Sequence, residues 1–291
     1  MTIAEALALG TTRLREAGIE QPEHDAEVLL RHVLAWDRAR LLVDSASALL
    51  PQPESSFLAL LAERATRRPL QHLTGTQWFW RHEFLVSQDV LIPRPETELI
   101  VEAALDLLRE TKAPRIADVG TGSGCIALSL AAERSDAVVS GIDVSPAALL
   151  VARRNASRFG LDGRVRFLEG DLLEPLRDEF GGFDMVVSNP PYVDPDEAPD
   201  LAPEVRLHEP AVALYPKVER YRVYRRLAPQ AAIALRPGGT LLLEIGLGMR
   251  DEVVRICEGA GLRVLRVIPD LQGIPRTVVS RRPVASRSEA G

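Results

Sequence analysis

Five consecutive residues, Ser188-Asn189-Pro190-Pro191-Tyr192, form the stretch of this sequence best suited to chemistry. They follow an apolar run, Phe183 to Val187, that predicts a buried strand. The prolines fix φ and lack N–H donors, so the nearby carbonyl groups are not easily used in a strand ladder. A side-chain amide, exposed carbonyl oxygens and a flat ring therefore stand at a strand end. That combination suits a planar substrate that carries an NH2 group.

A glycine-rich stretch, Asp118-Val119-Gly120-Thr121-Gly122-Ser123-Gly124, ends another predicted strand and begins a helix. Glycines let the backbone turn sharply and approach a ligand closely. The Gly-x-Gly-x-Gly spacing differs from the Gly-x-Gly-x-x-Gly spacing of pyrophosphate binders. Asp118 adds a carboxylate, which repels a pyrophosphate and attracts an ammonium or sulfonium group. These features favour S-adenosylmethionine over NAD. The candidate cofactor-binding residues here are Asp118, Gly120, Thr121, Gly122, Ser123 and Gly124.

Acidic residues also follow the next two predicted strands. Asp143 suits hydrogen bonds from both ribose hydroxyls, and its alternative role is to cap the following helix, which Ser145 can do instead. Asp171 can accept a hydrogen bond from an adenine amino group while Leu172 covers the ring, although a polar loop residue is an alternative for Asp171. Ligands of open α/β sheets bind at the carboxyl ends of the strands. We therefore expect these residues to share one crevice with Asn189, itself a further candidate cofactor contact.

The elements that carry these residues alternate between strand and helix from Arg115 onward, which predicts an α/β fold. We expect a Rossmann-like domain with a seven-stranded, mostly parallel sheet. A long, proline-rich loop is predicted from Val193 to about Pro216, and a helix from Val218 to Leu235. The predicted strands cover residues 116–119, 137–142, 165–168, 183–187, 240–245, 263–268 and 277–280.

The chain before this domain has a different pattern. Residues 1–74 predict a helical bundle, because apolar residues recur at helical spacing and Thr2 with Glu5 matches a capping box. Residues 75–92 predict a β-hairpin that links the bundle to the catalytic domain, residues 93–283, and residues 284–291 predict a disordered tail. The bundle either serves packing alone or docks a macromolecular substrate, and the pattern leaves both roles open.

Composition excludes several classes of protein. The chain has 291 residues and a formal net charge of −6, which disfavours a nucleic acid backbone as the main partner. Cys125 and Cys257 lack metal-site spacing, so we expect a reducing compartment and no metal. Neither a membrane span nor a signal-peptide pattern is evident. We expect a cytoplasmic monomer without a membrane partner.

The order of glycine loop, ribose acid, adenine acid and Asn-Pro-Pro-Tyr resembles class I S-adenosylmethionine methyltransferases that act on the nitrogen of a planar NH2 group. Further stretches resemble one family in particular, the release factor glutamine N5-methyltransferases (PrmC, also called HemK). The resemblance covers nearly the whole chain. The matching stretches are Val90 to Glu98 (including Ile-Pro-Arg-Pro-Glu-Thr-Glu), Asp118 to Ala127, Val187 to Val193, Glu209-Pro210 with Ala213-Leu214, and Leu241 to Gly246.

This resemblance implies that the substrate is the glutamine of the Gly-Gly-Gln motif in class I peptide chain release factors, and that the helical bundle helps to dock that protein partner. For the chemistry, we expect the Asn189 side-chain oxygen and the Pro190 carbonyl to accept the two N–H bonds of the substrate amide. Tyr192 would pack on the flat amide, and Pro191 completes the substrate-binding stretch. Two alternatives are a nucleic-acid amino methyltransferase (adenine N6 or guanine N2) and a cofactor-binding protein without activity.

Overall fold

The structure is a computed structural model, and it describes residues 1–216 and 219–284. The chain divides into two compact units. The first unit comprises Met1–Thr76 with Leu201–His208, and the second comprises Gln77–Asp200 with the chain from Glu209 onward. Residues 285–291 of the predicted tail, and Val218 at the predicted start of a helix, lie outside the described residues.

The first unit is helical, as its sequence pattern predicts. Its helices in the N-terminal region are α1 (Ile3–Glu16), α2 (Pro22–Leu34), α3 (Arg38–Val43), α4 (Pro51–Ala65) and α5 (Leu70–Thr74). The capping box of α1 is present, because the Glu5 N–H donates to Thr2 Oγ1 at 3.2 Å and the Thr2 N–H donates to the Glu5 carboxylate at 2.8 Å. The apolar faces of the helices meet in one core that includes Leu14, Leu29 and Phe57.

A hairpin and a seven-stranded sheet supply the strands of the structure. The hairpin is formed by β1 (Thr76–Phe79) and β2 (His82–Leu85). The sheet contains β3 (Arg115–Val119), β4 (Val138–Asp143), β5 (Val165–Glu169), β6 (Phe183–Ser188), β7 (Leu235–Glu244), β8 (Arg263–Pro269) and β9 (Pro275–Arg281). Its order is β5-β4-β3-β6-β7-β9-β8, with β9 antiparallel to both of its neighbours. The predicted fold class, α/β with a mostly parallel seven-stranded sheet, is confirmed.

Helices cover both faces of this sheet. A 3₁₀ turn, Pro95–Thr97, leads into α6 (Glu98–Leu107), and the later helices of the second unit are α7 (Cys125–Glu133), α8 (Pro146–Arg158), α10 (Ala211–Leu214), α11 (Arg222–Ala234) and α12 (Arg250–Gly259). The helix α9 (Pro203–His208) belongs to the first unit. One core cluster joins α6, α7 and α8 to the sheet, and a second joins α11 and α12 to it. Because strands between two helical layers are buried on both faces, they read as continuous apolar runs. Among the described residues, the structure contains no helix that is both long enough and apolar enough to span a membrane.

The register of the central strands explains why the candidate residues converge. Val119, the last residue of β3, pairs with Ile142 of β4 on one side and with Ser188 of β6 on the other. These three parallel strands therefore end at the same level of the sheet. The residues that follow them leave the sheet along one edge.

The segment that follows the Asn-Pro-Pro-Tyr motif differs from its prediction. Instead of one long loop over residues 193–216, it contains a 3₁₀ turn (Pro195–Asp200) and the helices α9 and α10. Within the first unit, Glu204 of α9 forms ion pairs with Arg64 at 3.0 Å and with Arg67 at 2.9 Å. Arg64 also pairs with Asp25 at 2.7 Å, where both side chains are 8% exposed. The proline content of this segment suggested a loop. It gave no sign of the long-range ion pairs that hold α9 in the first unit.

The start of β7 differs as well. The sequence predicts a strand that begins at Thr240, whereas β7 begins at Leu235. Its pairing with β6 jumps from Phe183–Leu235 to Met185–Thr240, so residues 236–239 bulge out of the ladder. Gly238 lies in this bulge at φ +85°, a conformation that costs glycine little.

Candidate active site

A cavity of about 480 Å³ lies at the carboxyl edge of the sheet, where β3, β4 and β6 end. Its volume is within the range of about 300–1,000 Å³ that is usual for cofactor and small-molecule sites. Most of the candidate residues line it, and all of them belong to the second unit. These residues are Gly120, Thr121, Gly122, Ser123, Asp143, Asp171, Leu172, Asn189, Pro190 and Pro191.

The glycine loop is fixed to the neighbouring strand by its backbone. The N–H groups of Gly120 and Thr121 both donate to the carbonyl of Ile142, at 2.8 and 2.9 Å. Gly120 has φ +73°, which only glycine adopts without strain, and a Cβ there would lie 3.9 Å from the Asn189 carbonyl oxygen. The loop can therefore bring its backbone close to a ligand in the cavity.

Asp143 stands on the cavity wall and is held by two backbone donors. Its Oδ2 accepts from the Gly122 N–H at 2.9 Å, and its Oδ1 accepts from the Ser145 N–H at 2.9 Å. Burial raises the pKa of this carboxyl above its ordinary value. The side chain of Ser145, and not that of Asp143, caps α8 by accepting from Ala148 at 3.2 Å. Because a carboxylate oxygen has two lone pairs, each oxygen of Asp143 can still accept from a ribose hydroxyl.

Asp118 does not occupy the place that the sequence suggested. It is 0% exposed and is not among the described residues that line the cavity. One oxygen accepts from Thr121 Oγ1 at 2.6 Å and from the Ala127 N–H at 3.2 Å, and burial raises the pKa of the carboxyl to about 7. Asp118 is still inside β3, whose last residue is Val119, so its side chain reaches α7 and braces the glycine loop from behind.

Gly124 also has a structural position. It is the N-cap residue of α7, at φ +82°, and is not among the described cavity-lining residues. A Cβ at Gly124 would lie 2.9 Å from Leu128 Cδ1, so the helix packs too closely for a larger residue. Both residues thus support the loop from outside the described cavity lining, and their predicted cofactor contacts stay predictions.

On the cavity wall, Asp171 has a partner that sequence reasoning missed. Both carboxylate oxygens accept from Arg226 of α11, at 2.6 and 3.3 Å. Leu172 follows at φ +55° and is buried against the second core cluster. Both residues line the cavity, as predicted, but Arg226 is 55 positions away in the chain and no local signal connects it to Asp171.

The Asn-Pro-Pro-Tyr motif leaves the sheet at the end of β6. Ser188 Oγ donates to the Val119 carbonyl at 2.7 Å, which ties the last residues of β6 and β3 together. The Asn189 side-chain NH2 donates to Thr97 Oγ1 at 3.1 Å. Pro190 is buried and Pro191 is half-buried, and both line the cavity. Asn189 thus stands at the wall with one end of its amide already fixed.

Tyr192 is not among the described residues that line this cavity. Its ring packs so closely on Gly246 that a Cβ there would lie 2.9 Å from a ring carbon. Its hydroxyl lies 3.5 Å from Glu244 Oε1, and burial raises the pKa of the phenol. The predicted contact of Tyr192 with a substrate amide stays a prediction.

Two buried acids, to which the sequence assigned no role, also shape the site. Thr97 Oγ1 donates to Glu244 Oε2 at 2.6 Å, and both side chains are buried. Glu209 is also buried and accepts from Arg94 at 2.5 Å and from the Ile92 N–H at 3.2 Å. The two contacts of Glu209 join the Ile92–Glu98 stretch to the stretch that starts at Glu209. Pattern matching had singled out both stretches without indicating that they bind each other.

Comparison with known proteins is consistent with this geometry. Residues 5–75 match a family model described as the PrmC N-terminal domain, and residues 97–217 match one described as the methyltransferase small domain. A release factor glutamine methyltransferase from Cereibacter sphaeroides is 43% identical over 285 residues, which cover 98% of this chain and 100% of that protein. The chain belongs to the release factor glutamine methyltransferase family. A relative of the same name from Bradyrhizobium diazoefficiens is 44% identical over 275 residues, covering 93% of this chain and 91% of that protein.

A similar solved structure is a release factor-specific protein-(glutamine-N5) methyltransferase from Alicyclobacillus acidocaldarius. It is 32% identical, covers 69% of this chain and 99% of its own, and superposes with a TM-score of 0.40. The methyltransferase small-domain match runs from Thr97 past Asn189. Glu244 lies after the end of that match. The hydrogen bonds around Asn189 therefore include a residue that neither domain match contains.

Proposed function

We propose that this member of the family methylates the side-chain amide nitrogen (N5) of the glutamine in the Gly-Gly-Gln motif of class I peptide chain release factors. The methyl donor is S-adenosyl-L-methionine, and the second product is S-adenosyl-L-homocysteine. The observation that carries the proposal is Asn189 on the wall of a cofactor-sized cavity, with its NH2 bonded to Thr97. The full-length similarity to release factor glutamine methyltransferases supports the choice of substrate.

The residues present fit the proposed methyl donor. Asp143 retains free lone pairs for ribose hydroxyls, Leu172 offers an apolar wall for a ring, and Gly120 and Gly122 leave the cavity open beside the backbone. When bound, this cofactor supplies a methyl group that the positive charge on sulfur has already made electrophilic. The protein residues therefore have to hold and orient the reactants.

Orientation of the substrate amide falls to the Asn189-Pro190 pair. A side-chain amide nitrogen is a poor nucleophile because its lone pair is delocalised into the carbonyl group. The Asn189 Oδ1 and the Pro190 carbonyl would accept its two N–H bonds and so direct the lone pair into the cavity. Asn189 also borders the cofactor site, because it lines the same cavity as Gly120 and Asp143. The proton can leave after methyl transfer, so no general base is assigned.

The test is a methyl-transfer assay with labelled S-adenosylmethionine. It offers a purified release factor, the same factor with its Gly-Gly-Gln glutamine changed to alanine, and nucleic acid. We expect label on the first factor only. Label on nucleic acid and none on either factor would replace the proposal with the nucleic-acid amino methyltransferase alternative.

We further propose that the first unit docks the release factor and that the enzyme acts as a cytoplasmic monomer. Among the described residues of that unit, five large apolar side chains are exposed, and the three most exposed are Leu42 (64%), Val43 (82%) and Leu50 (68%). Exposed apolar groups are common binding contacts when they lie together. We expect the double change Leu42→Ser with Val43→Ser to raise KM for the factor and leave kcat unchanged. Val284→Ser, at a similarly exposed valine of the second unit, is the control, and an unchanged KM in the double variant would count against docking.

A further inference from the structure

A hydrogen-bond chain joins Asn189 through Thr97, which also lines the cavity, to a buried carboxyl. The Asn189 Nδ2 group donates to Thr97 Oγ1 at 3.1 Å, and Thr97 Oγ1 donates to Glu244 Oε2 at 2.6 Å. Thr97 and Glu244 are each 2% exposed, so water does not compete for these bonds. The role proposed above for Asn189 does not explain why a buried carboxyl is connected to it through two successive hydrogen bonds.

The direction of this chain follows from the donors that each group has. An ionised carboxylate only accepts, so the single hydroxyl proton of Thr97 must point to Glu244. The Thr97 oxygen can then only accept from Asn189, and its partner must be the NH2 end of the amide. Among the described residues no protein donor reaches Asn189 Oδ1, which is therefore left for a ligand.

We propose that Thr97 and Glu244 are positioning residues that set the orientation of the Asn189 amide, so that its oxygen and not its NH2 group meets the substrate. This proposal rests on the proposed function, because it assumes that Asn189 accepts an N–H bond of the substrate amide. An inverted Asn189 would present donors to the donors of that amide. The two N–H groups would then repel, and the nitrogen would lose its alignment.

Other groups hold Glu244 in this place. The Tyr192 hydroxyl lies 3.5 Å from Glu244 Oε1, and the Tyr224 hydroxyl donates to the Glu244 backbone carbonyl at 2.7 Å. Thr97 lies in the Ile92–Glu98 stretch and Glu244 in the Leu241–Gly246 stretch, which the sequence pattern singled out without a chemical role. The hydrogen-bond chain gives both stretches a function at the Asn-Pro-Pro-Tyr motif.

The orientation should depend on pH. Burial and the charge of Glu96 raise the pKa of Glu244, Thr97, Arg276 and Tyr192 lower it, and the result is a pKa of about 7. Tyr224 and Cys125 also face this carboxyl, and both are neutral near pH 7 because burial raises the pKa of each. A protonated Glu244 can donate to Thr97, which frees the hydroxyl proton of Thr97 to point at Asn189 and invert the amide. Activity is therefore present above the pKa and lost as the pH falls through about 7.

The kinetic test uses Thr97→Val, Thr97→Ser and Glu244→Gln, assayed with the full-length enzyme and a release factor. Thr97→Val keeps the shape and removes the hydroxyl, and we expect kcat to fall by about 100-fold with little change in cofactor affinity. Thr97→Ser should restore most of kcat. In Glu244→Gln the loss of activity below pH 7 should vanish. Wild-type kcat in Thr97→Val, or an unchanged pH profile in Glu244→Gln, would overturn the proposal.

The matched control is Thr277→Val. Thr277 is buried beside Glu244 in the β7–β9 register, and its hydroxyl has no hydrogen-bond partner among the described residues. Removing that hydroxyl should leave kcat and its pH profile as in the wild type. If Thr277→Val lowers kcat as much as Thr97→Val does, loss of a buried hydroxyl alone explains the effect and the proposal is wrong.

A second measurement separates this proposal from the proposed function, because it needs no substrate. The side-chain NH2 signals of Asn189, identified by their absence in Asn189→Ala, are followed by nitrogen-15 NMR between pH 6 and 8. We expect them to shift with a midpoint near 7 in the wild type and to stay constant in Glu244→Gln. Signals that do not move in the wild type, or that move equally in both proteins, contradict the proposed role of Thr97 and Glu244 even if the methylation assay succeeds.

Discussion

At the scale of a residue, the proposed chemistry depends on which end of one amide faces the cavity. The oxygen and nitrogen of Asn189 are almost the same size, and only their hydrogen-bond partners distinguish them. Thr97 takes the nitrogen at 3.1 Å, so the oxygen is the group available to a substrate. The Pro190 carbonyl next to it cannot be turned away easily, because the following Pro191 restricts the backbone.

Replacing Asn189 should therefore separate cofactor binding from turnover. In Asn189→Ala we expect the Kd for S-adenosylmethionine to change by less than about threefold, because Asp143 and the glycine loop remain, and kcat to fall by roughly 100-fold or more. Calorimetric titration with the cofactor and single-turnover methylation of a release factor measure the two effects. A variant with wild-type turnover would remove Asn189 from the proposed mechanism.

At the scale of an element, the sequence is informative where a strand ends and silent about what lies behind it. Strand periodicity and turn residues predicted the ends of β3, β4 and β6 to within about one residue, and parallel topology placed Asp143 and Asn189 together. Because successive side chains of a strand point to opposite faces, a shift of one residue in the strand end reverses the direction of a side chain there. That is why Asp118 was expected in the cavity and lies instead against α7.

Long-range partners were beyond prediction for another reason. Arg226 is bonded to Asp171 across 55 positions, and Glu244 to Thr97 across 147 positions. Neither pair produces a periodic pattern in the sequence, because each is a single contact between elements that meet only in the folded protein. The packing of the Tyr192 ring against Gly246 was not predicted either, because only the folded chain brings the two residues together. The predicted contact of Tyr192 with the substrate amide stays a prediction.

Asn155 illustrates how one buried residue of α8 joins elements that the sequence treats separately. Its side chain accepts from the Leu85 N–H at 2.7 Å and donates to the carbonyls of Leu85 and Ser123 at 3.0 and 2.9 Å. It thereby binds the end of β2 to the glycine loop. Sequence reasoning had assigned it no role, since an asparagine within a helical pattern carries no signal of its partners.

We expect Asn155→Ala to lower the free energy of unfolding by roughly 2–4 kcal/mol, because it removes the side-chain partner of three backbone groups at Leu85 and Ser123. The urea midpoint measures this change. Arg154→Ala, at an exposed position of the same helix, is the control and should shift stability by less than about 0.5 kcal/mol. Equal midpoints for the two variants would show that these three bonds add nothing net.

At the scale of the whole molecule, buried acids make stability depend on pH. Burial raises the pKa of Asp118 to about 7 and that of Glu244 to about 7, both well above their ordinary values. The folded protein therefore binds more protons than the unfolded chain between about pH 4 and 7. The stability that these groups contribute is fully present at acidic pH and is lost as the pH rises through about 7.

The urea midpoint of the wild type should thus fall between pH 5 and pH 8. In Asp118→Asn the neutral amide imitates the protonated acid, so the same rise in pH should cost less stability. The acids whose pKa is lowered, among them Asp136 and Asp270, titrate below this window and do not mask the effect. Parallel pH dependences in the wild type and in Asp118→Asn would mean that Asp118 ionises normally in the folded state.

The helix α9 has a consequence for how this chain can be divided. Because Leu201–His208 is counted with the N-terminal helices, the polypeptide passes between the two units three times, after Thr76, Asp200 and His208. A cut after Thr76 would not yield two intact pieces, since Glu204 would stay on one fragment and its partners Arg64 and Arg67 on the other. The N-terminal part of this chain is therefore not a detachable module: a gene fusion or domain exchange that joins it at one point would leave the Glu204 carboxylate without its two arginine partners.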